Sequence, residues 1–152
     1  MSYKCEVREQ PAQPTLSIRT RTPVQALAQV LGRVYGTIVQ YLGELEEHPA
    51  GAPFTAYYNM DMQDLDVEIG FPVSKRLPGK DDIQASEIPQ GKAATCLYVG
   101  PYSDIGLAYT ALSEWIKENG YEATGVAYEM YVDDPTQTPP QELKTQIVFL
   151  LK

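Results

Sequence analysis

Apolar and polar residues recur along this chain with two distinct periods. Val24, Leu27, Ala28, Leu31, Val34, Tyr35, Ile38 and Leu42 are spaced mostly by three and four positions, which places them on one face of a helix. Thr22-Pro23 reads as its N-cap and first helical position, and the pattern ends near Glu47. A second helix is expected after Ser103, with Ile105, Ala108, Tyr109, Leu112, Trp115 and Ile116 on one face and Asn119-Gly120 as its stop. Elsewhere the period is two. Thr15 to Arg21 alternates, with Leu16 and Ile18 on one side and Ser17, Arg19 and Arg21 on the other; Ala93 to Val99 is its counterpart. Phe54 to Met60 and Leu65 to Val73 read as a hairpin, and Val126 to Val132 with Leu143 to Leu151 as the equivalent pair.

The order strand, helix, strand, strand therefore occurs twice. Pro11 and Pro89 are separated by 78 positions (89 − 11), as are Pro23 and Pro101, Ile69 and Ile147, and Phe71 and Phe149. Tyr58 and Tyr131 align best at 73 (131 − 58), as expected where the connecting loops differ in length. Self-similarity of this kind marks a duplicated supersecondary unit. The expectation is one domain over residues 1–152, with repeats of about 1–76 and 81–152. Its class is α+β: a pseudo-twofold pair of antiparallel sheets, each backed by a helix.

At 152 residues and 43% hydrophobic content the chain can bury one substantial core. Twenty acidic residues against twelve basic ones give a formal charge of −8. That charge opposes the phosphate attraction on which nucleic-acid affinity rests, so no direct nucleic-acid contact is expected. Met1 to Gln10 lacks the apolar run of a signal peptide, and no window has the ~18 apolar residues of a membrane span. A cytoplasmic location fits. Cys5 and Cys96 lie far apart in sequence and form no CxxC motif, so neither a disulfide framework nor a metal site is expected. His48, the sole histidine, sits beside Pro49 in a Gly/Pro loop, which argues against Ser-His-Asp and Cys-His catalysis and against zinc. No cofactor is indicated.

Candidate chemistry lies on the sheet faces turned away from the helices. In Leu65 to Val73, Leu65, Val67, Ile69 and Phe71 point one way and Asp66, Glu68 and Gly70 the other. In Val126 to Val132, Ala127, Glu129 and Tyr131 share a side. If the half-sheets face one another across the pseudo-twofold, Glu129 and Glu68 both reach the groove between them. Tyr58, Tyr98 and Tyr131 are candidates to line it, since eleven tyrosines stand against three phenylalanines and a tyrosine ring attracts cations. Each residue has a plainer reading. Glu68 and Glu129 can be solvated strand residues, and the tyrosines ordinary cross-strand pairs. Trp115 reads as core, Arg19 and Arg21 as a solvated face, and the loop from Asp133 through Pro135 to Pro140 as a connection without metal ligands.

Gly100-Pro101-Tyr102 leading into a helix, Trp115-Ile116-x3-Gly120, Tyr128-Glu129-Met130-Tyr131-Val132-Asp133-Asp134-Pro135 and Leu143-Lys144-Thr145-Gln146-Ile147 together resemble the gyrase-inhibitor-like (GyrI-like) effector-binding domain. That family also supplies the ligand-binding half of AraC- and MerR-type multidrug regulators. Asp66-x-Glu68-x-Gly70-x-Pro72-Val73 is similar to its first-half strand. The resemblance spans nearly the whole chain and implies a hydrophobic ligand groove with a glutamate at its centre, here Glu129. Regulators of this kind carry a helix-turn-helix ahead of the domain, whereas about a dozen residues precede the first matched strand here, so a stand-alone form is expected.

Two function classes follow, and both need an apolar groove with one carboxylate. The first is a binding protein for lipophilic, cationic or aromatic small molecules, in which Glu129 supplies charge and Tyr131, Tyr58 and Tyr98 stack, with Glu68 secondary. The second is a hydrolase of cyclopropane-containing genotoxins, which the resemblance also implies, with Glu129 activating water and Tyr131 steadying charge. A protein-interaction module, such as a gyrase modulator, is a third and weaker reading.

Overall fold

A computed structural model describes residues 3–134 and 136–152. Met1 and Ser2, in the segment read for a leader, and Pro135, in the loop after Asp134, lie outside the described residues. In chain order the strands are β1 (Cys5–Gln10), β2 (Gln13–Thr22), β3 (Phe54–Tyr57), β4 (Leu65–Pro72), β5 (Gln84–Ile88), β6 (Gly91–Val99), β7 (Ala123–Tyr131) and β8 (Lys144–Leu151). The two α-helices are α1 (Leu27–Glu44) and α2 (Ile105–Glu118). The class is α+β, as the two periods in the sequence indicate.

The chain divides into two compact units, one of residues 11–90 and one of residues 91–152 together with residues 3–10. In the Pro11–Gln90 unit the antiparallel strands run in the order β3-β4-β2-β5, and in the other unit β7-β8-β6-β1. The two orders correspond strand for strand. Six strands appear where alternation predicts them. β1 and β5 were not expected, and each pairs with the strand of the other repeat: β1 precedes β2 in sequence but lies on β6, and β5 precedes β6 but lies on β2. Each short connection between a leading strand and the next contains a proline, Pro11 or Pro89, which cannot continue a ladder. The leading strands are thus reciprocally exchanged, and residues 3–10 belong with the second half rather than with a repeat of about 1–76.

Each unit has its own core. In the first, Leu16 pairs with Phe71 and Ile18 with Ile69, so all four side chains share the face that meets Val34, Ile38 and Leu42 of α1. In the second, Ala94, Cys96, Tyr98 and Ile147 meet Ala108, Leu112 and Ile116 of α2. Full burial of a leucine or isoleucine contributes about 1.5–3 kcal/mol. Trp115 packs at the edge of this core.

The entrance to α1 differs from the N-cap read at Thr22-Pro23, and the entrance to α2 is built the same way. Pro23 and Pro101 are extended, with ψ near 150°, and each is followed by a 3-10 turn before α-helix begins at Leu27 or Ile105. Thr22 remains in β2 and its hydroxyl donates to the Pro23 carbonyl. At the far end of α2 the stop falls as expected. Gly120 has φ 79°, a left-handed conformation that glycine adopts without steric cost.

Candidate functional site

Glu129 sits in the middle of β7 and is 7% exposed. Its register partner is Ile147, which packs against α2, and directly opposed residues in an antiparallel pair share a face. The carboxylate therefore lies on the helix side of its sheet. This corrects the expectation that its alternation set faces away from the helix: period-2 patterning separates two faces without saying which one the helix covers. The consequence is a contact the sequence did not suggest. Tyr109 of α2 donates its hydroxyl to Glu129 Oε2, while Tyr131 donates to Oε1 at 2.9 Å.

Burial pushes the Glu129 carboxyl above the usual carboxylate range, and the two tyrosine hydroxyls pull it partly back. Among the described residues, no lysine, arginine or histidine pairs with it. Aromatic rings surround the cluster. Tyr109 packs on Phe149 with centroids 5.5 Å apart, and Tyr131 meets Tyr102 edge-on at 5.8 Å. Tyr102 is 38% exposed, so the rim of the cluster reaches the surface. Its phenol is pushed up by burial, then by Glu129, Asp133 and Asp134. Thr145, opposite Tyr131 in the ladder, is fully buried and its hydroxyl has no hydrogen-bond partner among the described residues.

Glu68 occupies a different setting within the Pro11–Gln90 unit. Val67 and Ile69 turn toward α1, so Glu68 lies on the opposite face of β4, as alternation predicts. It is 9% exposed and accepts hydroxyl hydrogen bonds from Ser17 and Tyr58, both at 2.5 Å. Here a cation is already in place. The Arg19 guanidinium carbon lies 3.7 Å from the Tyr58 ring centroid, and its nitrogens bind both Asp66 oxygens at 2.7 and 2.8 Å. Arg19 is exposed, as expected of a solvated strand face, and also pairs with Asp66 and stacks on Tyr58. Gly70 permits this packing, because a Cβ there would lie 2.2 Å from the Leu16 carbonyl oxygen and 2.8 Å from the Ser17 Cβ.

The structure brings Tyr131 to Glu129 and Tyr58 to Glu68 but leaves Tyr98 apart from both. Tyr98 is 2% exposed in the core and donates to the Pro101 carbonyl at 2.6 Å, bracing the entrance to α2. Tyr109 is the site residue that sequence reasoning missed. The available signal was a tyrosine, rather than phenylalanine, on the buried face of a helix, where the hydroxyl needs a partner. Two clefts open elsewhere: about 460 Å³ between α1, β2 and residues 80–83, and about 260 Å³ beside Ile116, Tyr121 and Phe149. Neither contains Glu129 or Glu68. Among the described residues no cluster of His, Cys, Asp and Glu is arranged to hold a metal, and no helix is long and apolar enough to cross a membrane.

The family model of the GyrI-like small molecule binding domain matches residues 3–152. No match was found among curated protein sequences. Among solved structures, EcmrR is 25% identical. In its DNA complex the TM-score is 0.86, with 99% of this chain and 57% of that chain covered; for the EcmrR C-terminal domain alone it is 0.84, with 100% and 99% covered. This chain therefore spans little more than half the length of EcmrR. A hydrolase from Listeria innocua shares the fold at 15% identity and TM-score 0.68, over 98% of this chain and 92% of that one. SAV2435, solved bound to tetraphenylphosphonium, shares it at 12% identity and TM-score 0.66, over 100% and 94%.

Proposed function

The chain belongs to the GyrI-like family of small-molecule-binding domains, and from that premise we propose that it binds lipophilic cations or cationic aromatic compounds against Glu129, Tyr109 and Tyr131. One observation supports this reading above others. Glu129 is a buried carboxylate held by two neutral hydroxyls, with no cationic partner among the described residues. An ionised carboxylate in that setting is costly, and a ligand cation offsets the cost while stacking on Tyr131 and Tyr102. Asp133 and Asp134 add negative potential near the rim. Tetraphenylphosphonium, the compound bound to SAV2435, is a lipophilic cation of this class. Tyr58 and Glu68 form a second aromatic-carboxylate pair, but Arg19 already satisfies it. They are assigned the lesser role, and Tyr98 a structural one. The protein acts in the cytoplasm, without direct nucleic-acid contact, in keeping with its charge of −8.

The test is Glu129→Gln, with calorimetric titration of tetraphenylphosphonium and of a neutral analogue of similar size. Loss of the charge should weaken the cation by about 1.5–3 kcal/mol, the range for hydrogen bonds to charged groups, and the neutral analogue much less. Equal affinities for wild type and variant would reject the proposal.

The same geometry supports a second reading as a hydrolase. A carboxyl held above its usual range beside two phenolic hydroxyls is suited to moving a proton to or from water. Under that reading Glu129→Gln cuts turnover of a cyclopropane-bearing electrophile by about 100- to 10,000-fold while binding survives. Absence of turnover by the wild type would remove it.

A further inference from the structure

Cys5 and Cys96 stand directly opposite one another in β1 and β6, although 90 residues separate them in sequence. Both are free thiols; Cys96 is fully buried and Cys5 half-buried. Opposed residues of an antiparallel pair have Cα atoms about 4.5 or 5.5 Å apart, according to whether they lie at a non-hydrogen-bonded or a hydrogen-bonded position. Disulfides span Cα separations of about 4.4–6.8 Å, so either class permits a bond with little backbone movement. Alternation puts both sulfurs on one face with Tyr3, Val7 and Tyr98. Burial, and then the adjacent Cys5, push the Cys96 thiol up to about 12, which marks the two sulfurs as neighbours; Cys5, half-buried where Cys96 is fully buried, is the one a small oxidant reaches first.

We propose that Cys5 and Cys96 are a reversible thiol-disulfide pair, closed by a small disulfide of the glutathione class. The Cys5 thiolate attacks one sulfur of the oxidant, breaking its S–S bond and releasing one small thiolate, which takes up a proton. Cys96 then gives up its proton and its sulfur attacks the Cys5 sulfur of the mixed disulfide, expelling the second small thiolate. Two protein thiols are oxidised and one small disulfide is reduced to two thiols. β1 is an edge strand whose only described strand partner is β6, so the new bond adds a covalent link to an exchanged strand otherwise held by backbone pairing and by the packing of Tyr3, Cys5 and Val7. Edge strands and termini are where local opening is easiest, which makes this the place where a covalent link changes most.

The experiment exposes the 152-residue chain to oxidised glutathione, blocks remaining thiols with iodoacetamide in denaturant, and measures the intact mass. The expected product is two hydrogens lighter than the reduced chain, carries no alkyl group or glutathione, yields a peptide pair joining Cys5 to Cys96, and returns to the dithiol with dithiothreitol. Cys96→Ser should stop at the Cys5-glutathione adduct, and Cys5→Ser should remain a single thiol that alkylates in denaturant. A wild-type protein that keeps a stable glutathione on Cys5, or that takes up two alkyl groups after oxidation, would overturn the proposal.

Discussion

The Tyr109 hydroxyl donates to Glu129 Oε2, joining the first half of α2 to the middle of β7. Helix and carboxylate are thereby linked, and whatever changes the charge on Glu129 acts on the helix as well. Tyr109→Phe keeps the ring against Phe149 but removes one of the two hydroxyls that favour the ionised carboxylate. Unfolding free energy should fall by about 1–3 kcal/mol, and Glu129 should hold its proton to a still higher pH. Urea denaturation combined with carbon-detected titration of the Glu129 carboxyl checks both. An unchanged titration would mean that the hydroxyl does not act on the carboxylate.

The raised Glu129 value fixes the sign of two pH dependences. Because the folded state binds the Glu129 proton more tightly than the unfolded chain does, the associated stability is fully present below the ordinary carboxylate range near pH 4. It is lost as pH rises through the folded-state value. Relative to Glu129→Gln, the wild type should thus lose stability across that window. Affinity for a lipophilic cation should rise across the same window, as the carboxylate ionises. Thermal denaturation and cation titration at stepped pH, on both proteins, measure the two trends. Parallel curves for wild type and variant would show that Glu129 is not the titrating group.

Arg19 over the Tyr58 ring is a cation supplied by the chain itself. Arg19→Met retains much of the side-chain length and removes the charge. Because Arg19 is nearly half exposed, the stability cost should be below about 1 kcal/mol. If Tyr58 then takes part in ligand stacking, affinity for tetraphenylphosphonium should increase several-fold, and Arg19→Met with Tyr58→Leu should reverse the gain. Calorimetry on the single and double variants decides, and no gain in the single variant would confine cation binding to the Glu129 cluster.

Leu112 is fully buried at the centre of the α2 core. Leu112→Ala should cost about 2–5 kcal/mol through lost burial and an unfilled cavity. A urea midpoint that moves by less than the equivalent of about 1 kcal/mol would mean that the core collapses around the smaller side chain.

Most of the architecture is legible in the sequence because both helices and six strands have one well-defined apolar face. β1 and β5 are not. Each is an edge strand of five or six residues with polar composition, and Cys5 and Val7 are too few to establish a period. Glu129 is legible as a mid-strand carboxylate, but its face is not, since the choice depends on its pairing with Ile147 across the ladder. β7 also carries a register shift between Ala123 and Ala127, with Gly125 at φ 99°, and local alternation does not reveal such a shift. Tyr109 fits the apolar stripe of α2, so the stripe alone conceals its hydroxyl. Arg19 looks like any charged residue on an open strand face until Tyr58 and Asp66 are placed beside it.

The exchange of β1 and β5 bears on ancestry and on dissection. A polypeptide of half this length, carrying one leading strand, one helix and the three-strand ladder, would leave the outer position of its sheet vacant and its own leading strand unpaired. Two such copies would satisfy each other by trading leading strands, the arrangement of a swapped homodimer. The present chain has the form that fusion of such a pair would give, with Pro11 and Pro89 at the two crossings. Cleavage in the loop between Val73 and Lys80 should therefore leave fragments that are unstable when separated and that reassemble when mixed. Gel filtration of the cut protein would show the two pieces travelling together.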